Sequence, residues 1–287
     1  MSGEAKTPTG LAAKVDKKRK RQAEEPSKKS KTDTNKTTDA VADGPKNKKR
    51  KEGKNKKDQA DKPKALRGEP LEKERKGTVD EAIGKMDGRL LADHFVQKAK
   101  RHNKELSAVE LEDLSVPDSA FLDTSSFTSD RTLEKLPGFL KAFSAKGSDL
   151  AKAAEQKGTP HTIVVSPAGL RAADVVRALR IFQTKESPIG KLFAKHIKLE
   201  EAKQFLERAR VAIGAGTPAR ISDLIESGSL KLDELKRIVI DGSYVDQKQR
   251  GIFDMKETHL PLLQLLTRSE LRERYGAKEK KIEILVF

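Results

Sequence analysis

The sequence of 287 residues has no cysteine at all. That excludes disulfides, thiol catalysis and cysteine-ligated zinc, and is compatible with a reducing compartment. Long apolar runs are missing too. None approaches the roughly 20 residues a transmembrane helix requires, and Met1 to Leu11 lacks the apolar centre of a secretory signal. The expectation is a soluble, intracellular protein without a membrane partner. Residues 1 to 76 contain no aromatic, and Leu11, Val15, Val41, Leu66 and Leu71 are their only Leu or Val. Such a stretch cannot bury enough surface to offset chain entropy of about 1 to 2 kcal/mol per residue. A disordered tail is expected there.

Catalytic constellations are equally sparse. The five histidines, His94, His102, His161, His196 and His259, include no i, i+4 pair of the kind that binds zinc on a helix. No Gly-x-Ser-x-Gly elbow occurs. Neither a catalytic residue, a metal, a cofactor nor a small-molecule substrate is expected.

What is abundant is positive charge, unevenly spread. The net charge is +16, with 25 Lys/Arg against 13 Asp/Glu in residues 1 to 76 but 35 against 31 in residues 77 to 287. Two dense clusters stand in the tail, Lys17, Lys18, Arg19, Lys20 and Arg21, then Lys46, Lys48, Lys49, Arg50 and Lys51. Both suit nuclear import or contact with a polyanion. Phosphate neutralisation by such a tail gives salt-sensitive affinity with little sequence preference, and without aromatics it offers bases nothing to stack on.

Order is expected from Thr78, where Thr78-Val79-Asp80-Glu81 has capping-box spacing, followed by a helix with Ile83, Met86, Leu90, Leu91, His94, Phe95 and Ala99 on one stripe. Ser107-Ala108-Val109-Glu110 repeats the capping pattern before a segment stopped by Pro117. Residues 77 to 157 thus read as a helical extension. Beyond Gly158-Thr159-Pro160 short apolar runs alternate with amphipathic stretches: 162 to 166, 211 to 214, 237 to 241 and 281 to 287, with a further short strand around 193 to 197. Apolar strands joined by helices predict a parallel sheet covered on both faces. The expected fold is a three-layer α/β domain over residues 158 to 287, with the helical extension packed on it. Before the run at 237, Thr217 is placed to cap a helix, Pro218 to occupy its first turn and Gly228 to follow its last. Gly190-Lys191-Leu192 reads as a loop.

The order of segments resembles a single RecA-like lobe of DEAD-box RNA helicases. Residues 163 to 174, from Ile163-Val164-Val165-Ser166-Pro167-Ala168-Gly169, resemble helicase motif Ia. The turn Thr217-Pro218-Ala219-Arg220 resembles motif Ib, and Asp241-Gly242-Ser243 stands where the Asp-Glu-Ala-Asp box belongs. The departures matter more. No Gly-x-x-x-x-Gly-Lys-Ser/Thr phosphate loop occurs, and Gly242 replaces the glutamate that organises the attacking water, whose assistance is worth about 10² to 10⁴ in rate. Asp241 reads as a strand-end residue that bonds nearby backbone or caps the next segment. Thr217, Pro218 and Arg220 keep a turn suited to an RNA phosphate. Ala168 and Gly169 weaken the Ia element, and Arg171 is placed to substitute.

Together with the basic tail and the segment Leu111-Glu112-Asp113-Leu114-Ser115-Val116-Pro117, this pattern resembles the eukaryotic 90S pre-ribosomal complex subunit family. The resemblance implies a nucleolar protein of the small-subunit processome that acts in ribosome biogenesis without enzymatic turnover. Its implied partners are pre-ribosomal RNA and ribosome-assembly proteins. Two rival readings are a residual RNA-stimulated ATPase and a nuclear DNA- or chromatin-binding factor using the same tail.

Overall fold

A computed structural model describes residues 78 to 146 and 148 to 287. The tail and its basic clusters at 17 to 21 and 46 to 51 lie outside these residues.

Five parallel strands form the central sheet in the order β3-β4-β2-β5-β7, where β2 is Thr162–Val165, β3 Gly190–Leu192, β4 Ile213–Gly216, β5 Arg237–Ile240 and β7 Glu283–Val286. The β-branched runs seen in the sequence become strands because both faces are covered: every residue of β2, β4 and β5 is buried. Alternate residues point to opposite layers. Ile163, Val165, Ile238 and Ile240 join one core with helices α1 (Gly88–His102), α5 (Leu199–Arg208), α6 (Pro218–Glu226) and α7 (Lys256–Leu266). Val164, Val239 and Leu285 join the other with α3 (Leu136–Ala142) and α4 (Gly169–Ala178). The three-layer α/β architecture with a parallel sheet is therefore present.

Several local expectations need correction. Thr78 does not cap a helix. Thr78–Val79 is a short strand, β1, paired antiparallel with β6, Tyr244–Val245. Helix α1 starts ten residues later, where the Asp87 carboxylate accepts from the Leu90 amide at 2.8 Å. The second capping box is real, opening α2 (Ala108–Asp113): Ser107 accepts from the Glu110 amide and Glu110 from the Ser107 amide. The strand expected at 211 to 214 lies two residues further on, and the one expected at 193 to 197 is instead β3, so Gly190-Lys191-Leu192 is no loop.

Glycine explains the last shift. A Cβ on Gly216 would stand 1.9 Å from the Leu192 carbonyl oxygen, and one on Gly214 would stand 2.6 Å from Leu192 Cδ1. Gly214-Ala215-Gly216 is thus the strand surface on which β3 lies. On the opposite edge, Phe121 bridges to Ile284, the Leu122 amide donates to the Ile284 carbonyl at 2.8 Å, and the Thr124 hydroxyl donates to the Val286 carbonyl. The segment before the sheet therefore covers β7, which would otherwise offer an open edge.

Candidate functional site

The connections out of β2 and β5 leave in opposite directions: α4 carries the chain from β2 across one face towards β3, and α7 carries it from β5 across the other towards β7. In open parallel sheets, ligands bind in the crevice at the carboxyl ends of such diverging strands. Here that point is filled by the chain itself. Arg171, in the first turn of α4, donates from Nε to Asp241 Oδ2 at 2.7 Å and from Nη2 to Oδ1 at 3.0 Å. The fork is bidentate and nearly dry, with the Asp241 side chain 2% and the Arg171 side chain 12% exposed. The guanidinium also lies 4.2 Å from the centroid of the Tyr244 ring, a cation–π contact.

The electrostatics agree with this geometry. Burial alone would lower the Arg171 pKa, but the Asp241 carboxylate and its hydrogen bonds outweigh it, and the net shift is upward. Burial pushes the Tyr244 phenol up as well. The Asp241 carboxylate is engaged by a side chain 70 residues away, and not by neighbouring backbone or the following segment as its position in the sequence suggests. Its own amide donates to the Val165 carbonyl at 2.9 Å, locking β5 against β2.

Gly242 is required by crowding. A Cβ at this position would lie 2.6 Å from Val286 Cγ1 and 3.1 Å from Phe253 Cε2, so any side chain there requires the Val286 and Phe253 side chains to shift. The amides of Gly242 and Ser243 both donate to the Phe287 carbonyl, at 2.9 and 2.8 Å. The hydroxyls of Ser243 and Ser166 are buried at this end of the sheet without a hydrogen-bond partner among the described residues.

Thr217, Pro218 and Arg220 come together at the start of α6, one strand over. The Thr217 amide donates to the Leu192 carbonyl at 3.1 Å, but its hydroxyl makes no capping bond, so the expected side-chain cap is absent. Pro218 is buried in the first turn. Arg220 turns inward: its Nη1 donates to the Ile197 carbonyl at 3.1 Å and its side chain is 11% exposed. Gly228 follows the helix with φ of 72°, a left-handed conformation suited to glycine.

Two residues went unnoticed in the sequence. Tyr244 follows the apolar run at 237 to 241, and nothing in the order of residues brings it to Arg171. Arg131 is 5% exposed and ties the end of β7 to the chain before it, donating to the carbonyls of Val286, Gly84 and Thr124. Desolvation lowers its pKa to about 10. Among the described residues no group of His, Cys, Asp and Glu is placed to hold a metal ion, and no helix is long and apolar enough to cross a membrane.

Comparison with known proteins matches residues 12–287 to the family described as U3-containing 90S pre-ribosomal complex subunit. Protein CMS1 of Chaetomium thermophilum is 51% identical over 209 residues, covering 73% of this chain and 83% of that one. Protein CMSS1 of Homo sapiens is 31% identical over 196 residues, 68% of each chain. Protein CMS1 of Saccharomyces cerevisiae is 24% identical over 210 residues, 69% of this chain and 64% of the other. Among solved structures, a DEAD box protein from Methanococcus jannaschii aligns with 63% of this chain and 47% of its own at 17% identity and a TM-score of 0.32. With residues 12–287 matched to the family and 51% identity to one relative over 209 aligned residues, the chain belongs to the U3-containing 90S pre-ribosomal complex subunit family.

Proposed function

We propose that this protein is a non-catalytic, RNA-associated structural subunit of the 90S pre-ribosome, acting in ribosome biogenesis and pre-rRNA processing in the nucleolus. Its partners are pre-ribosomal RNA and ribosome-assembly proteins. The division of labour follows the chain: residues 1 to 76 supply diffuse attachment to polyanions, residues 77 to 157 brace the sheet, and residues 158 to 287 form the rigid body presented to neighbours.

One observation carries the absence of catalysis. The carboxylate that a nucleotide-bound metal would need, that of Asp241, is held by both donors of the Arg171 fork. Freeing it would strand a buried guanidinium, and removing one partner of a buried pair costs about 3 to 5 kcal/mol. The resemblance to helicases places a water-activating glutamate at position 242, where the chain has glycine and the Val286 and Phe253 side chains crowd the place of a Cβ. Both defects are built into the packing.

The test is ATP turnover by the purified full-length protein, with and without RNA. No turnover above the buffer rate is expected, and Asp241→Ala should change nothing in that assay. RNA-stimulated hydrolysis that disappears in Asp241→Ala would overturn the reading.

A further inference from the structure

Edge strand β3 lies at the bottom of a groove of about 390 Å³ between α4 and α5. Its floor is apolar, with Val176, Ile189, Ile197 and the half-buried Phe205, while Arg180, Gln183, Lys191 and Glu201 stand at its mouth. A second depression, formed by Arg180, Gln183, Thr184 and Lys185, continues it. From residue 180 to 198 the chain carries Arg180, Lys185, Lys191, Lys195 and Lys198 against the single acid Glu186, and all six are exposed. Among the described residues none of these five cations is in an ion pair. Of the nearby acids, Glu201 accepts from the Lys198 amide through one carboxylate oxygen at 3.3 Å and Glu200 pairs with Lys203, while Glu186 stands exposed among the cations.

Five unpaired cations along one edge call for a polyanion. A peptide adding itself to the sheet is disfavoured. Strand β3 is three residues long, Pro188 precedes it and Lys191 projects from its middle, the features by which edge strands resist pairing. Single-stranded RNA fits both halves of the arrangement, because it offers phosphates at regular intervals and flat bases with apolar faces and polar edges. Taking the RNA association proposed above as its premise, we infer that the groove between α4 and α5 is an RNA site. It receives one base of a single strand against Phe205, with flanking phosphates on Arg180, Lys185 and Lys191. Gln183 and the Glu201 carboxylate, at the rim, face the base's hydrogen-bonding edge.

The site differs from the Thr217 to Arg220 turn, whose arginine is drawn inward, and from the tail. The full-length protein is photocrosslinked to a thiouridine-substituted single-stranded RNA of mixed sequence, and the adducts are mapped by mass spectrometry. Adducts are expected on peptides spanning 176 to 205. Their yield should fall about tenfold in Arg180→Glu/Lys191→Glu, which removes two phosphate contacts, and at least about fivefold in Phe205→Leu, which removes the stacking face but keeps apolar packing. Melting curves matching the parent protein would show that both variants fold. Adducts confined to residues 1 to 76 or to 217 to 220 would overturn the groove and leave RNA association standing. An absence of adducts anywhere would sink both. Displacement by polyglutamate as readily as by unlabelled RNA would assign the groove to an acidic peptide and overturn the inference.

Discussion

At the scale of single residues, the pair Arg171 and Asp241 concentrates charge where the fold would otherwise leave a crevice. Because both side chains are nearly dry, losing one partner leaves an uncompensated charge. Arg171→Met and Asp241→Asn should each lower unfolding free energy by about 3 to 5 kcal/mol, read from urea melts. The double change Arg171→Met/Asp241→Leu should recover much of that loss, since apolar replacement of a buried pair is often close to neutral. Single variants within about 0.5 kcal/mol of the parent would mean that the pair contributes no more than a surface contact. His259 behaves differently. It is fully buried among Phe95, Phe253 and His102, with neither ring nitrogen hydrogen-bonded among the described residues, and burial first, then the neighbouring His102, lowers its pKa to about 3. Between its ordinary 6.5 and that value, the unfolded chain takes up a proton that the folded chain refuses. Stability therefore falls as pH drops through this window, by about 1.4 kcal/mol per pH unit from this residue alone. His259→Phe should flatten the pH dependence of the melting midpoint between pH 6 and 4; an unchanged slope would assign the acid sensitivity to other groups.

At the scale of elements, strands were legible where β-branched residues run together and illegible where glycine stands in for them. The runs around Ile163, Ile238 and Ile284 announce themselves because both faces need apolar cover. Strand β3 does not, since Gly190-Lys191-Leu192 has neither propensity nor length, and its place is set by two glycines on another strand. Strand β1 looks like a helix start in the sequence because capping-box spacing is local, whereas its pairing with Tyr244 and Val245 spans more than 160 residues. The site divides along the same line. Motif position marks Asp241 and Arg171 separately, but their contact, and the crowding at Gly242, depend on packing between distant segments. The same packing yields a further expectation. Gly216→Ala would drive a Cβ into the Leu192 carbonyl, so β3 must move. A loss of about 1 to 3 kcal/mol is expected, with fastest hydrogen exchange at residues 190 to 192. Protection there equal to the parent's would mean that the edge strand is not held by this contact.

At the scale of the whole molecule, the charge asymmetry separates two modes of attachment. The first 76 residues carry 25 basic against 13 acidic side chains, whereas the remainder is nearly balanced at 35 against 31. Non-specific affinity for single strands scales with phosphates neutralised, each contributing about −0.7 to the slope of log K against log salt. The tail should therefore dominate that slope, and the groove along β3 should add a smaller, more local term. Removing residues 1 to 76 leaves the sheet and both of its cores, all formed within residues 78 to 287. The shortened protein should melt cooperatively and bind RNA more weakly, with a slope flatter by about 3 or more if at least five phosphate contacts go with the tail. Titrations of both proteins with the same single-stranded RNA across a range of salt concentrations decide the matter. If the slopes coincide, long-range attraction resides in the α/β body, and the tail's clusters serve something other than RNA contact.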